Sequence, residues 1–167
     1  MSFKLQREST GEVLVLDESG TLGTGGEATV YSVADDNRLA AKVYLKPNDD
    51  RARKLAVMAA NPPAKTTPEK PDIAWPLDLL WTTGRRSRIA GFLMPRVEDM
   101  APIIDIYSPH ARLKSRPWFD YRLLLKTCIS LAGAVETAHK SGYVIGDLNH
   151  SNIFVAPDGR VTLIDAD

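Results

Sequence analysis

Apolar positions along the chain fall into short runs over its first hundred residues and into one long periodic stretch after them. Residues 3–7 and 12–16 read as two strands around the turn-forming Ser9-Thr10-Gly11, and the unbroken apolar run Val13–Leu16 predicts a strand covered on both faces. Leu22-Gly23-Thr24-Gly25-Gly26-Glu27 predicts a glycine-rich hairpin that enters a strand from Ala28 to Ala34. Asp35-Asp36-Asn37 is a turn. The strand after it, about Arg38 to Leu45, carries a single lysine, Lys42, among Ala40, Ala41 and Val43.

Pro47-Asn48-Asp49-Asp50 ends that strand and offers a helix cap, with acids placed favourably against the helix dipole. The helix predicted from about Asp50 to Ala60 buries Leu55, Met58 and Ala59 and stops at Asn61-Pro62-Pro63. Residues 61–71 have no periodicity and predict an exposed loop. Two strands, about 73–82 and 88–95, follow around Thr83-Gly84-Arg85-Arg86. Residues 101–117 are irregular, with a short helix near Pro109–Lys114. From Phe119 to Lys140, Leu124, Cys128, Leu131, Val135 and Ala138 recur at helical spacing, and Gly142 is placed to end that helix. The last stretch, Gly142–Asp167, is a hairpin in which Ile153–Val155 and Val161–Ile164 flank the turn Pro157-Asp158-Gly159.

Composition narrows the class. The 167 residues suffice for one domain or part of a larger one, and 44% hydrophobic with 25% charged residues is ordinary for a globular protein. Twenty-one basic and twenty-one acidic residues cancel, so no global field points to nucleic acid or a membrane surface. The basic clusters Arg51–Lys54, Arg85–Arg88 and Arg112–Arg116 read as solvated faces. The one cysteine, Cys128, excludes an internal disulfide and is expected as a buried, unreactive thiol. MSFKLQREST lacks the apolar core of a signal peptide, and no run of eighteen apolar residues occurs. A cytoplasmic protein is expected. Oligomeric state is not legible.

Candidate chemistry gathers in the C-terminal hairpin. Asp147 precedes its first strand, Asn152 lies five residues further on, and Asp165 and Asp167 follow the second strand. Acids and an amide converging at one end of a hairpin suit a divalent metal held on hard oxygens, or a general base beside a hydroxyl nucleophile. A surface hairpin with turn-forming Asp and Asn fits the same residues. The order decides between them: glycine loop, strand lysine, Asp-x4-Asn, then Asp. With that order and spacing, the chain resembles the protein-kinase-like fold from about Thr21 to Asp167.

The resemblance implies an α+β architecture: a five-stranded antiparallel small lobe with one helix, then the beginning of a helical large lobe. Residues 1–97 would form the small lobe and hinge strand, and 98–167 the partial large lobe. It implies ATP as ligand, with Leu22, Gly23, Gly25, Gly26, Ala28 and Val30 of the glycine loop and Ala40 around it. Lys42 would pair with the α/β-phosphates. Phe92–Val97 would be the hinge, with Met94 as gatekeeper. Pro95 would offer adenine only its carbonyl, and Val97 an N–H. Asp147 would accept the substrate hydroxyl proton, and Asn152 and Asp165 would be the protein ligands of Mg2+.

Departures accompany the resemblance. Ile145-Gly146 replaces the usual His-Arg, Ala28 the third glycine, and Asn149 the lysine that steadies the γ-phosphate, which leaves Asn149 as the catalytic-loop side chain at that position. Asp165-Ala166-Asp167 replaces Asp-Phe-Gly. The helix that should offer Lys42 a glutamate has none, and its Arg51, Arg53 and Lys54 would repel that lysine. The Gly-Asp-x4-Asn form also resembles small-molecule phosphotransferases. The combination G-D-L-N, I-D-A-D, Asn-Pro-Pro and W-P-L-D looks most like a bacterial Ser/Thr kinase-like group whose members often carry helix-hairpin-helix regions. The chain stops two residues past Asp165, so a partial kinase domain with little transfer activity of its own is expected. The parent protein is expected to phosphorylate a Ser/Thr hydroxyl of a protein substrate; the alternative is a pseudokinase acting as a nucleotide-binding or scaffolding module. No membrane and no nucleic-acid contact is expected of this segment.

Overall fold

A computed structural model describes residues 2–63 and 71–166. Residues 64–70 of the predicted loop, and Asp167, lie outside the described residues. The described residues divide into two compact units, one made of 2–62 and 75–96, the other of 63, 71–74 and 97–166.

The first unit is one antiparallel sheet with one helix. Its strands are β1 (Ser2–Arg7), β2 (Val13–Asp17), β3 (Thr21–Thr24), β4 (Ala28–Ser32), β5 (Leu39–Tyr44), β6 (Asp78–Thr82) and β7 (Ile89–Pro95), in the order β2-β1-β6-β7-β5-β4-β3. Seven strands therefore stand where five were expected. The N-terminal hairpin is not a separate ornament: β1 pairs with β6, Leu5 opposite Thr82 and Arg7 opposite Leu80. Leu5, Leu14 and Leu16 enter one core with Val33, Ala41, Leu80, Ala90 and Leu93, and burying them drives the addition. Val13 and Val15 are exposed, so β2 covers one face only, against the expectation of two. Behind β6, the buried Asp78 carboxylate accepts from Arg7 Nε at 2.9 Å, from Ser9 Oγ at 2.6 Å and from Ser9 N at 3.1 Å.

Gly91 sets the spacing of β7 and β5. A Cβ built there would meet the carbonyl oxygen of Lys42 at 1.9 Å, so only glycine lets the strands approach at this point. Gly91→Ala is expected to destabilise the first unit by about 1–3 kcal/mol, read as a lower denaturant midpoint; an unchanged midpoint would show that the strands part without cost.

Helix α1 (Asp49–Ala60) starts where the caps predict: Asn48 Oδ1 accepts from Arg51 N at 2.8 Å, with Asp49 and Asp50 in the first turn. It buries Leu55 and Met58, while Ala59 is half-buried. The buried Trp75 donates from Nε1 to Met58 O at 2.8 Å. The strand predicted at 73–82 begins only at Asp78, because Pro76 has no N–H for the ladder.

The second unit takes the residues before Trp75 instead. Its sheet has β8 (Ala101–Pro102), β9 (Ile153–Val155) and β10 (Val161–Leu163) in the order β10-β9-β8. Asp72 O accepts from Leu163 N at 2.9 Å, Ala74 N donates to Leu163 O at 2.8 Å, and Thr162 Oγ1 donates to Pro71 O at 2.6 Å. Short helices α2 (Ile104–Tyr107) and α3 (Pro109–Ser115) follow β8, the latter opening with Pro109 at its first turn behind the cap Ser108.

Helix α4 (Tyr121–Lys140) ends as predicted, Gly142 at φ 82° with its N–H on His139 O and Tyr143 N on Ala138 O. Its buried face is rotated from the predicted stripe, of which Ala138 is buried and Leu124, Leu131 and Val135 are half-buried. Thr127, Ala134, Thr137 and Ala138 are buried, whereas Cys128 is exposed. Small residues win because β10 and its turn press close: Ser130 Oγ accepts from Val161 N at 2.8 Å, and a Cβ at Gly159 would lie 3.1 Å from Leu123 O. Thr127 and Thr137 hide their hydroxyls by donating to the carbonyls four residues earlier. The turn itself forms at Gly159 (φ 84°), where the Arg160 backbone N–H, with Lys126 3.7 Å away, holds the Asp158 carboxyl below its usual range.

Candidate functional site

In the first unit, strand alternation puts Ala40, Lys42 and Tyr44 on the sheet face opposite Ala41, which belongs to the core. Val30 is the partner of Lys42 on one side and Phe92 on the other, so the lysine sits in the third strand from the sheet edge and is 8% exposed. Its Nζ lies 5.7 Å from the ring centre of Tyr44 and 5.6 Å from that of Phe92. Both rings present π-electrons to the ammonium.

The glycine hairpin closes as predicted: Gly23 pairs with Val30, Thr24 with Thr29, and Gly25 N donates to Ala28 O at 2.9 Å. Leu22 and the three glycines are exposed, and Ala28 is buried. None of Gly23, Gly25 and Gly26 has a positive φ, and a Cβ on Gly23 or Gly26 would meet nothing within 4 Å. Neither backbone strain nor internal crowding accounts for these glycines. Further along, Ala40 pairs with Met94 and Leu39 with Pro95, where β7 ends; Arg96 N then donates to Arg38 O at 2.8 Å. Met94 and Pro95 are buried, and Val97 opens the second unit.

In the second unit, the residues before and after the hairpin meet. Asn152, 7% exposed, donates from Nδ2 to Asp147 O at 3.1 Å and to Asp147 Oδ2 at 3.2 Å. Asn149 Nδ2 donates to the other carboxylate oxygen, Oδ1, at 2.7 Å. Asn149 Oδ1 accepts from Ser151 N at 2.8 Å, which fixes which way its amide faces. Ile164 N donates to Asn152 O at 2.9 Å and carries Asp165 to the same end of the hairpin. Asp165 is exposed and holds φ 56°, a left-handed conformation that Asp tolerates better than most residues.

The donors suit a cation that brings most of its own ligands. Asn152 commits its Nδ2 to Asp147, and its Oδ1 meets Ser151 Oγ only at 3.5 Å, so that oxygen and the Asp165 carboxylate are the two groups that would face a hard cation. Among the described residues no group of three or more His, Cys, Asp and Glu side chains is arranged to hold a metal by itself.

No protein-family model matches the chain. Among curated proteins, the protein kinase YegI of Escherichia coli K12 is 38% identical over 160 residues, 95% of this chain. Its O157:H7 counterpart is 37% identical over 147 residues, 87% of the chain. The chain spans about a quarter of the length of these relatives, 24% and 22%. Among solved structures, the ROP18 kinase domain in complex with AMP-PNP and sucrose matches at a TM-score of 0.65 and 25% identity, over 99% of this chain and 55% of that one. The chain has a protein-kinase-like fold. ROP2 of Toxoplasma gondii, described as having a protein-kinase fold and no enzymatic activity, shares that fold at a TM-score of 0.57 and 17% identity, over 98% of this chain and 52% of that one.

Within this kinase-like chain, sequence patterns pointed to Lys42 and the hairpin residues but missed their local partners. Asn149 stands where the resemblance expects a lysine, and the structure adds its hydrogen bond to Asp147. The sequence reads Arg51 as a solvated residue that repels Lys42. It is half-buried instead, its guanidinium 4.7 Å from the Tyr44 ring centre and paired with Glu27 of the glycine loop. The signal available in the sequence was its place three residues after the cap Asn48, in the first helical turn. Arg112, in another cluster read as solvated, donates to Ile106 O at 2.8 Å. No helix is long and apolar enough to cross a membrane among the described residues.

Proposed function

We propose that this chain is the ATP-binding part of a kinase whose parent protein transfers the γ-phosphoryl group of Mg-ATP to a Ser/Thr hydroxyl of a protein substrate. The observation that carries it is the glycine loop: open, exposed glycines with no internal reason to be glycine, one strand away from a buried lysine. Backbone N–H groups without side chains are what a polyphosphate needs for close approach. Gly23, Gly25 and Gly26 receive the phosphates, Lys42 pairs with them, and Leu22, Ala28, Val30, Ala40 and Met94 enclose the base. The Pro95 carbonyl and Val97 N–H hydrogen-bond it.

Asp147 is the base. It takes the proton of the attacking hydroxyl as that oxygen bonds to the γ-phosphorus and the β–γ bridging P–O bond breaks, leaving ADP. Asn149 and Asn152 hold the carboxylate by one oxygen each. Magnesium, when bound through Asn152 and Asp165, neutralises phosphate charge. Positioning and charge then suffice, since phosphoryl transfer asks little covalent help.

A specific observation favours a second reading, a pseudokinase. Helix α1 offers Lys42 no glutamate, and its Arg51 is engaged with Glu27. Calorimetry of the intact protein with ATP and magnesium tests the binding that a kinase and a nucleotide-binding pseudokinase share. Binding is expected, weakened about tenfold or more by Lys42→Met, which removes a charge-assisted contact. Silence of the wild type at millimolar ATP would end the kinase reading and leave only a scaffolding pseudokinase.

A further inference from the structure

Arg51 lies on α1 and its side chain reaches Tyr44 of the lysine strand, yet it carries the charge opposite to the one a lysine partner needs. Its backbone N–H is fixed by the cap Asn48, which sets the first turn of α1 in place. From there the side chain runs inward: it is 28% exposed, against 77% for Arg53 on the same helix. The guanidinium lies over the Tyr44 ring, the same ring that faces Lys42 Nζ. Two cations therefore share one aromatic ring on one face of the sheet. Beyond the ring, Arg51 Nη2 donates to the Glu27 carboxylate, in the loop between β3 and β4. Glu27 is itself anchored, its carbonyl accepting from Leu45 N at 2.8 Å, while its side chain is 74% exposed.

We propose that Arg51 is a second cationic ligand for the phosphates of a nucleoside triphosphate, and that Glu27 holds it at the glycine loop until they arrive. The inference rests on the nucleotide reading above and deepens it. A guanidinium has five N–H donors in a planar fork that fits phosphate as well as carboxylate. Its one hydrogen bond to Glu27 ends on an exposed oxyanion beside the glycines that receive the phosphates. A phosphate carries more charge than a carboxylate, and an exposed ion pair contributes little to stability, so the exchange is favourable. The Tyr44 ring keeps the fork oriented through the exchange. Glu27 thus competes with ATP for Arg51.

The competition gives the test its sign. On the intact protein, calorimetry with ATP and with adenosine is run for wild type, Arg51→Gln and Glu27→Gln. Arg51→Gln is expected to weaken ATP about tenfold and leave adenosine unchanged. Glu27→Gln is expected to tighten ATP about threefold, again without effect on adenosine. A purely structural tie between loop and helix predicts otherwise: Glu27→Gln would weaken both ligands alike or change neither, and either result overturns the assignment. Should Arg51→Gln fail to fold, the Glu27→Gln comparison decides alone. Wild type that binds ATP, with variants of equal affinity, removes only the role of Arg51. Wild type that binds no ATP removes the nucleotide reading and this assignment together.

Discussion

Asp147→Asn is expected to lower phosphoryl transfer by about a hundredfold to ten-thousandfold while leaving ATP affinity nearly unchanged. The base acts on the chemical step, so its loss appears in turnover and not in binding. The substitution keeps the shape of the side chain but changes its hydrogen bonding. Both carboxylate oxygens accept amide N–H groups, from Asn149 at 2.7 Å and Asn152 at 3.2 Å. An amide in their place faces one of those donors with its own NH2. A stability loss of about 1 kcal/mol should accompany the change, and a thermal melt separates it from the catalytic effect. A radiolabelled ATP assay on the intact protein reads the transfer. Equal turnover in wild type and variant would remove Asp147 from the reaction. ATP binding with no transfer even in wild type would establish the pseudokinase.

Asp165→Asn should be nearly as damaging, for a different reason. Asparagine tolerates the left-handed backbone that Asp165 adopts at φ 56°, so the hairpin should keep its fold. What is lost on the proposed assignment is the carboxylate that meets magnesium, leaving the Asn152 amide oxygen as the remaining protein ligand. Turnover is expected to fall about a hundredfold or more and to need a higher magnesium concentration. ATP affinity measured in EDTA should not move. A magnesium dependence identical to wild type would show that Asp165 does not serve the metal. A β-branched substitution such as Asp165→Val would be a poor test, because it would strain the backbone and remove the ligand at once.

The kinase-like order of motifs was legible because each motif is local. The glycine hairpin, the cap Asn48, the helix end at Gly142 and the turn at Gly159 all formed where contiguous residues predicted them. Spacing alone placed Asp147, Asn152 and Asp165 at one end of one hairpin, in whose register Leu163 faces Ile153 and Ile164 N reaches Asn152 O; the amide contacts of Asp147 lie in the loop before it.

Other features belonged to packing between distant segments. The N-terminal hairpin joined the main sheet because Leu5, Leu14 and Leu16 needed the core that Leu80 and Leu93 supply, far along the chain. Helix α4 turned its threonines inward because β10 and Gly159 leave no room for larger side chains and because back-bonded hydroxyls behave as apolar surface. Nothing adjacent in the chain requires glycine at position 91; the Lys42 carbonyl on the neighbouring strand does, at 1.9 Å from where a Cβ would stand. Arg51 looked like one charge in a basic run until Tyr44 and Glu27 closed on it. By itself, then, the sequence determined most of the elements, their caps and turns, and the order of the chemical groups, since these depend on residues adjacent in the chain; β8 and α2 were not among them. Only the tertiary structure decided which faces are buried, how many strands share the first sheet, and which charge meets which, since those follow from the burial of apolar faces contributed by segments far apart.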